Sequence, residues 1–191
     1  FLIDTDGHEE HIATEVTALG LTAAALEAMP ANVPTVAVDL PRIAGYTTWA
    51  NTEKVGWGRL AFDRFEIPYD LIHKDHVQAG AKLRAKYDVI VVPHQTQSGK
   101  ALVYEQPKLS KPLPYKKNDT FKTFGMYAET DDVRGGMGIK GVAEFAEFLE
   151  AGGVMMTFGA ASLFPAPFGL THGAAAQHPR APFQAHGPAR Q

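Results

Sequence analysis

Residues 139–162 constrain the fold of this chain more than any other stretch. Ile139, Val142, Ala146 and Leu149 recur at helical spacing, with Glu144, Glu147 and Glu150 on the opposite side, which predicts an amphipathic helix with that apolar set inward. Gly152 supplies its stop. Val154, Met155, Met156, Thr157 and Phe158 then make an apolar run, read as a central strand with Val154, Met156 and Phe158 buried. Gly159, Ala160, Ala161 and Ser162 form a sharp small-residue turn after it. In α/β folds that carry out acyl transfer, such a turn lifts a Cys or Ser above the carboxyl edge of the sheet. Here the elbow positions are Ala160 and Ala161, and the chain has no cysteine. The scaffold of a nucleophile elbow is present without its nucleophile.

The rest of the chain continues the alternation. Phe1 to Asp4 reads as a strand already under way, so the chain is taken as a fragment. Gly7 to Leu19 reads as a helix carrying Ile12, Val16 and Leu19, with Gly20 to end it; short strands are expected near Leu21 and over Thr35 to Val38. From Pro41 the expected order is a strand at Arg42 to Tyr46, then a helix capped by Asn51 or Thr52 with Trp57, Leu60, Ala61 and Phe65 on one face. A strand at Tyr69 to His73, a helix at Gly80 to Tyr87 and a strand at Asp88 to Val92 follow. Residues 94–124 hold several Pro and Lys and little periodicity, which predicts a long excursion at the sheet edge.

Strand and helix in alternation imply a mainly parallel sheet with right-handed crossovers, and a flavodoxin-like three-layer sandwich is the expected layout. The organisation read from this is a linking segment over 1–40, an α/β domain over 41–170 whose sheet lacks its last strand, and a disordered tail over 171–191. The tail is rich in Ala, Pro, His and Gln, with Phe183 as its one large apolar side chain.

Composition narrows the function classes. An apolar fraction of 45% with 20% charged residues is globular, and a net charge of −3 gives no electrostatic reason to expect nucleic acid or an anionic membrane as partner. No apolar run approaches the roughly 20 residues needed to span a bilayer. Zero Cys excludes disulfides and thiol catalysis but does not fix a compartment.

Several stretches carry a family resemblance in order and spacing: Pro41-Arg42-Ile43-Ala44 with Trp49, Gly56-Trp57 leading to Phe62, Phe65, Pro68 and Tyr69, and Ala79-Gly80 with Leu83 to Ile90. Pro93-His94-Gln95, Gly135 to Gly138, Phe148 to Gly153, Ala161-Ser162-Leu163 and Phe168-Gly169-Leu170 continue it. Together they resemble the class I glutamine amidotransferase-like domain at the C-terminal end of bacterial zinc carboxypeptidase-like proteins, relatives of carboxypeptidase A. The resemblance implies a parent that hydrolyses C-terminal peptide bonds with zinc held in an upstream peptidase domain. That domain would be this one's partner, alongside a second copy of the chain. It also suggests an exported bacterial protein. The zinc set itself, His-x-x-Glu plus a distant His, is not in this chain: His8-Glu9-Glu10-His11 and His73-Lys74-Asp75-His76 both place His where Glu is required.

Each remaining motif has a blander reading that leads. His8 and His11 share a helical face, but a zinc site needs further ligands and supporting hydrogen bonds, so a solvent-facing pair is expected and no metal. Ser162 lacks the Gly-x-Ser-x-Gly context and is read as a helix cap. Gly135-Gly136-Met137-Gly138 and Ser98-Gly99-Lys100-Ala101 fall short of phosphate-loop patterns and are read as tight packing. Asn118-Asp119-Thr120 fits a glycosylation acceptor by chance frequency alone. The sequence therefore points to a catalytically silent amidotransferase-like domain without a cofactor of its own. Two rivals stand beside it. One is a small-ligand module at the carboxyl edge of the sheet using Thr47, Trp49, Asn51, His94, Gln95 and the turn of Gly159 to Ser162. The other is a hydrolase in which Ser162 and His94 meet.

Overall fold

A computed structural model of the chain describes residues 2–28, 30–36, 39–50, 52–80, 82–94, 98–105 and 107–171. The chain divides into two units, Phe1–Asp39 and Leu40–Gln191. In the first, helix α1 spans Glu9–Ala18, with Glu9 and Glu10 in its first turn, where carboxylates suit the helix dipole. It ends with Gly20 at φ +66° and buries no residue. The strands expected at Phe1 to Asp4, near Leu21 and at Thr35 to Val38 are not formed at the described residues among them. A strand needs a neighbour to satisfy its backbone, and the described residues of this unit offer none. Phe1, Ala37 and Val38 lie outside the described residues, and so does the expected tail beyond Thr171.

The second unit holds a four-stranded, all-parallel sheet in the order β2-β1-β3-β4, formed by Ile43–Tyr46 (β1), Tyr69–Ile72 (β2), Val89–Val92 (β3) and Val154–Thr157 (β4). Its helices are α2 (Thr52–Arg64), α3 (Lys74–Gln78), α4 (Leu83–Lys86), α5 (Gly99–Tyr104) and α6 (Gly138–Glu150). The first connection steps from β1 out to β2, whereas the later ones step the opposite way to β3 and β4. Right-handed crossovers therefore put α2 on one face and α3, α4 and α6 on the other. The fold is a flavodoxin-like α/β sandwich, with the first four strands of that layout in their usual order; no fifth strand occurs among the described residues.

The register assigns every strand residue to a face. Ala44, Tyr46, Ile72, Ile90 and Val92 point toward α6 and are all buried; with Val77, Leu83, Leu102, Phe145, Phe148 and Phe164 they form the core. Tyr46 meets Phe145 edge-on at 5.8 Å, and Phe145 meets Phe164 likewise at 5.9 Å. The start of β3 is clamped by Asp88, which accepts from the backbone N–H and guanidinium of Arg42 and from Arg84. These cations and donors hold the Asp88 carboxyl well below the usual carboxylate range.

Three expectations about faces need correction. β4 is an edge strand, so Val154, Met156 and Phe158 are exposed, and Met155 is the residue turned onto the core. Helix α6 is rotated from its expected setting: Gly141, Val142, Phe145 and Phe148 are buried and Ile139 is exposed. Helix α2 turns Val55 and Phe62 inward and leaves Trp57, Leu60, Ala61 and Phe65 in solvent. The helices at residues 74–78 and 99–104 were not anticipated, and the latter interrupts the expected excursion.

Candidate functional site

In a sheet of this order the chain reverses direction between β1 and β3, and open α/β sheets bind ligands at the carboxyl edge of that switch point. Trp49 after β1, His73 after β2, His94 after β3 and Gly159 after β4 all stand along this edge. They form two clusters rather than one.

The first cluster closes over β1 and β2. Thr47 extends the ladder by donating its N–H to the Ile72 carbonyl at 2.9 Å, and both Thr47 and Thr48 are buried. Trp49 stacks on His73 with ring centroids 4.1 Å apart and donates its indole N–H to Asp75 Oδ2 at 2.9 Å. The other oxygen of Asp75 accepts from Thr130 Oγ1 at 3.0 Å. Thr130 pairs its backbone with Tyr115, and Tyr115 in turn lies against Trp49. Tyr115, Phe124 and Phe121 continue the stack at 4.7 and 4.6 Å. The long excursion is thereby folded back onto the sheet edge, and Trp49 is the peg that holds it.

Charges beneath this cap are paired inside the protein. Arg134, buried, makes a two-toothed contact with Asp132 at 2.7 Å through both Nε and Nη2, and donates to the Ser110 carbonyl. Lys74, also buried, donates to the Arg134 carbonyl. Burial lowers the Lys74 pKa, and the Arg134 guanidinium holds Asp132 well below the ordinary carboxylate range. Burial together with the neighbouring His76 pushes His73 down to about 4, so its imidazole is neutral at pH 7.

The second cluster lies beyond β3 and β4. His94 Nδ1 accepts the backbone N–H of Ala160 at 2.9 Å, and its Nε2 lies 3.4 Å from Lys54 Nζ. Gly159 has φ +58°, and a Cβ there would collide with the His94 ring, so the turn admits the imidazole only with glycine at this position. Ser162 sits within a 3-10 turn, Gly159–Leu163, and donates its hydroxyl back to the Thr157 carbonyl at 3.0 Å instead of capping the turn. Ser162 and His94 are each engaged elsewhere and form no hydrogen bond with one another. Of the six residues expected to line a ligand site, Thr47 and Trp49 serve the first cluster and His94 and Ser162 the second, while Asn51 and Gln95 lie outside the described residues. Sequence reasoning missed His73, Asp75, Thr130 and Tyr115, because nothing in their spacing announces that they converge.

The glycine motifs resolve into packing. A Cβ on Gly136 would collide with the Leu102 carbonyl, and one on Gly99 with the Leu163 carbonyl. The N–H after Gly136, that of Met137, donates to that same Leu102 oxygen at 3.1 Å, so it is not free for an anion. Gly136→Ala and Gly99→Ala should each destabilise the protein by about 1 to 3 kcal/mol through overpacking against backbone. Urea unfolding checks this, and an unchanged midpoint in both variants would remove the packing account. Among the described residues no group of three or more His, Asp or Glu side chains could hold a metal, and His8 and His11 are both exposed.

Comparison with protein-family models, with curated proteins and with solved structures gave no match.

Proposed function

We propose that the chain is a catalytically silent, amidotransferase-like accessory domain of a zinc carboxypeptidase-like protein. Hydrolysis of C-terminal peptide bonds by zinc would belong to the upstream peptidase domain, and this domain's role would be structural or regulatory. One observation carries the reading of silence. The two positions after β4 where an acyl-transfer enzyme of this architecture places its nucleophile are Ala160 and Ala161, whose side chains are methyl groups. The Ala160 N–H, a donor of the kind that would steady an oxyanion, is already bonded to His94. The parentage rests on the resemblance of residues 41–170.

The expected result is no turnover by the purified chain on peptide substrates with a free C-terminus, on glutamine or on simple esters, with or without added zinc. Turnover that disappears in Ser162→Ala would overturn the proposal in favour of a serine hydrolase. Turnover that appears only with zinc would overturn it in favour of a metal site.

A further inference from the structure

A parallel sheet is stable with both faces covered, and here one face is half bare. The pairing register puts Ile43, Gly45, Tyr69, Leu71, Val89, Val91, Val154 and Met156 on the α2 face. Among the described residues of the second unit, the helix on that face is α2. Its contacts show which part it shelters: Arg59, Phe62 and Asp63 reach Tyr69 on β2, while Gly58 faces Pro93 and Lys54 approaches His94 beyond β3. Cover therefore stops at β3. Val91 is buried, but Val154, Met156 and Phe158 on and just after β4 are 53%, 46% and 50% exposed.

The helix has a matching excess. By helical spacing Ala61 and Phe65, the latter one residue past the end of α2, continue the line of Lys54 and Gly58 at i, i+4, i+7 and i+11, which puts them on the β4 side of the helix. Trp57 and Leu60 lie one step further out and point away from the helix's own sheet. Trp57, Leu60 and Phe65 are 72%, 57% and 75% exposed. A helix laid in the trough beside α2 would cover β4 and Phe65 but would leave Trp57 and Leu60 in water. Residues 172–191 carry one large apolar side chain, Phe183.

We propose that this face binds a second copy of the chain, with α2 of each protomer laid on the β4 stripe of the other. One two-fold operation covers both apolar sets, because each copy offers the helix that the other's sheet lacks, and such reciprocity is what an isologous interface requires. The six side chains present on the order of 600 Å2 per protomer, taking usual side-chain areas with their exposure, against roughly 800 Å2 per partner in a standard interface. The association depends on packing alone and is the same for a silent domain or an active one.

Sedimentation of the full chain should show a dimer at micromolar concentration. Leu60→Asp and Met156→Asp should each weaken association by about a hundredfold or more, as expected for charge placed in an interface core, with far-UV circular dichroism unchanged. The absence of native cysteine allows a gentler test of geometry. A mixture of Leu60→Cys and Met156→Cys chains should oxidise to a covalent heterodimer far faster than either chain forms a homodimer. A wild-type monomer at about 100 μM, well above the Kd of a specific dimer, would overturn the proposal. Cross-linking dominated by Met156→Cys with itself would also overturn it, since that pattern belongs to β4 edges pairing side by side.

Discussion

Truncating Phe145 to Ala should lower the free energy of unfolding by about 3 to 5 kcal/mol, the range for removing a fully buried aromatic ring from a core. Phe145 is completely buried between Tyr46 and Phe164, both met edge-on, so its loss opens a cavity walled by rigid rings that cannot close over it. Phe148→Ala should follow closely, and Val142→Ala should cost about 1 to 3 kcal/mol because fewer atoms are removed. Leu149, half-buried at the margin of the core, should cost less again. Ile139→Ala should change stability by no more than about 0.5 kcal/mol, since its side chain is in solvent. Urea midpoints at constant slope give the ranking directly. An Ile139→Ala loss as large as that of Phe145→Ala would mean that α6 presents the other face to the sheet.

That ranking shows what the sequence could and could not convey. Helical spacing over residues 139–150 establishes the helix, and the glycines after it establish where it stops. The choice between two neighbouring apolar stripes is made by the partner surface. On α6 the stripe of Val142, Phe145 and Phe148 and the stripe through Ile139 and Ala146 are separated by about one residue's turn, near 100°. The core they meet decides between them, with Phe145 set edge-on against Tyr46 and Phe164. The same ambiguity misplaced the inward face of α2, where Val55 and Phe62 are turned inward and Trp57 and Phe65 are left exposed.

Strand positions were legible for a related reason and misread for another. Val89 to Val92 and Val154 to Thr157 are both apolar runs, and both are strands. A run reports that a strand can be buried on two sides, not that neighbours exist to bury it. β4 lies beyond the cover of α2, so its residues on that face are in solvent although they are as apolar as those of β3. At the carboxyl edge the legible part was local. The Gly159 turn and the lack of a nucleophile are contiguous in sequence. The Trp49, Asp75 and Thr130 chain joins residues 26 and 55 positions apart, and no periodicity links them.

Acid should expose the cost of burying His73. Its pKa of about 4 in the folded protein lies below the ordinary 6.5 because burial disfavours the imidazolium and His76 adds repulsion. Above pH 6.5 both the folded and the unfolded chain hold it neutral, and its full contribution to stability is present. As pH falls through 6.5 the unfolded chain takes up the proton first, so stability declines, and the decline levels off near pH 4 once the folded form is protonated too. The separation of the two values corresponds to a loss of about 3 kcal/mol across that window. Asp88 and Asp132, held low by their arginine partners, act at lower pH, where protonation breaks those contacts. His73→Phe keeps a flat ring against Trp49 and removes the titration, so its unfolding free energy should be nearly level from pH 6.5 to pH 4 while the wild type falls. Parallel pH profiles for the two proteins would show that the buried, neutral His73 is not what couples this edge of the sheet to acid.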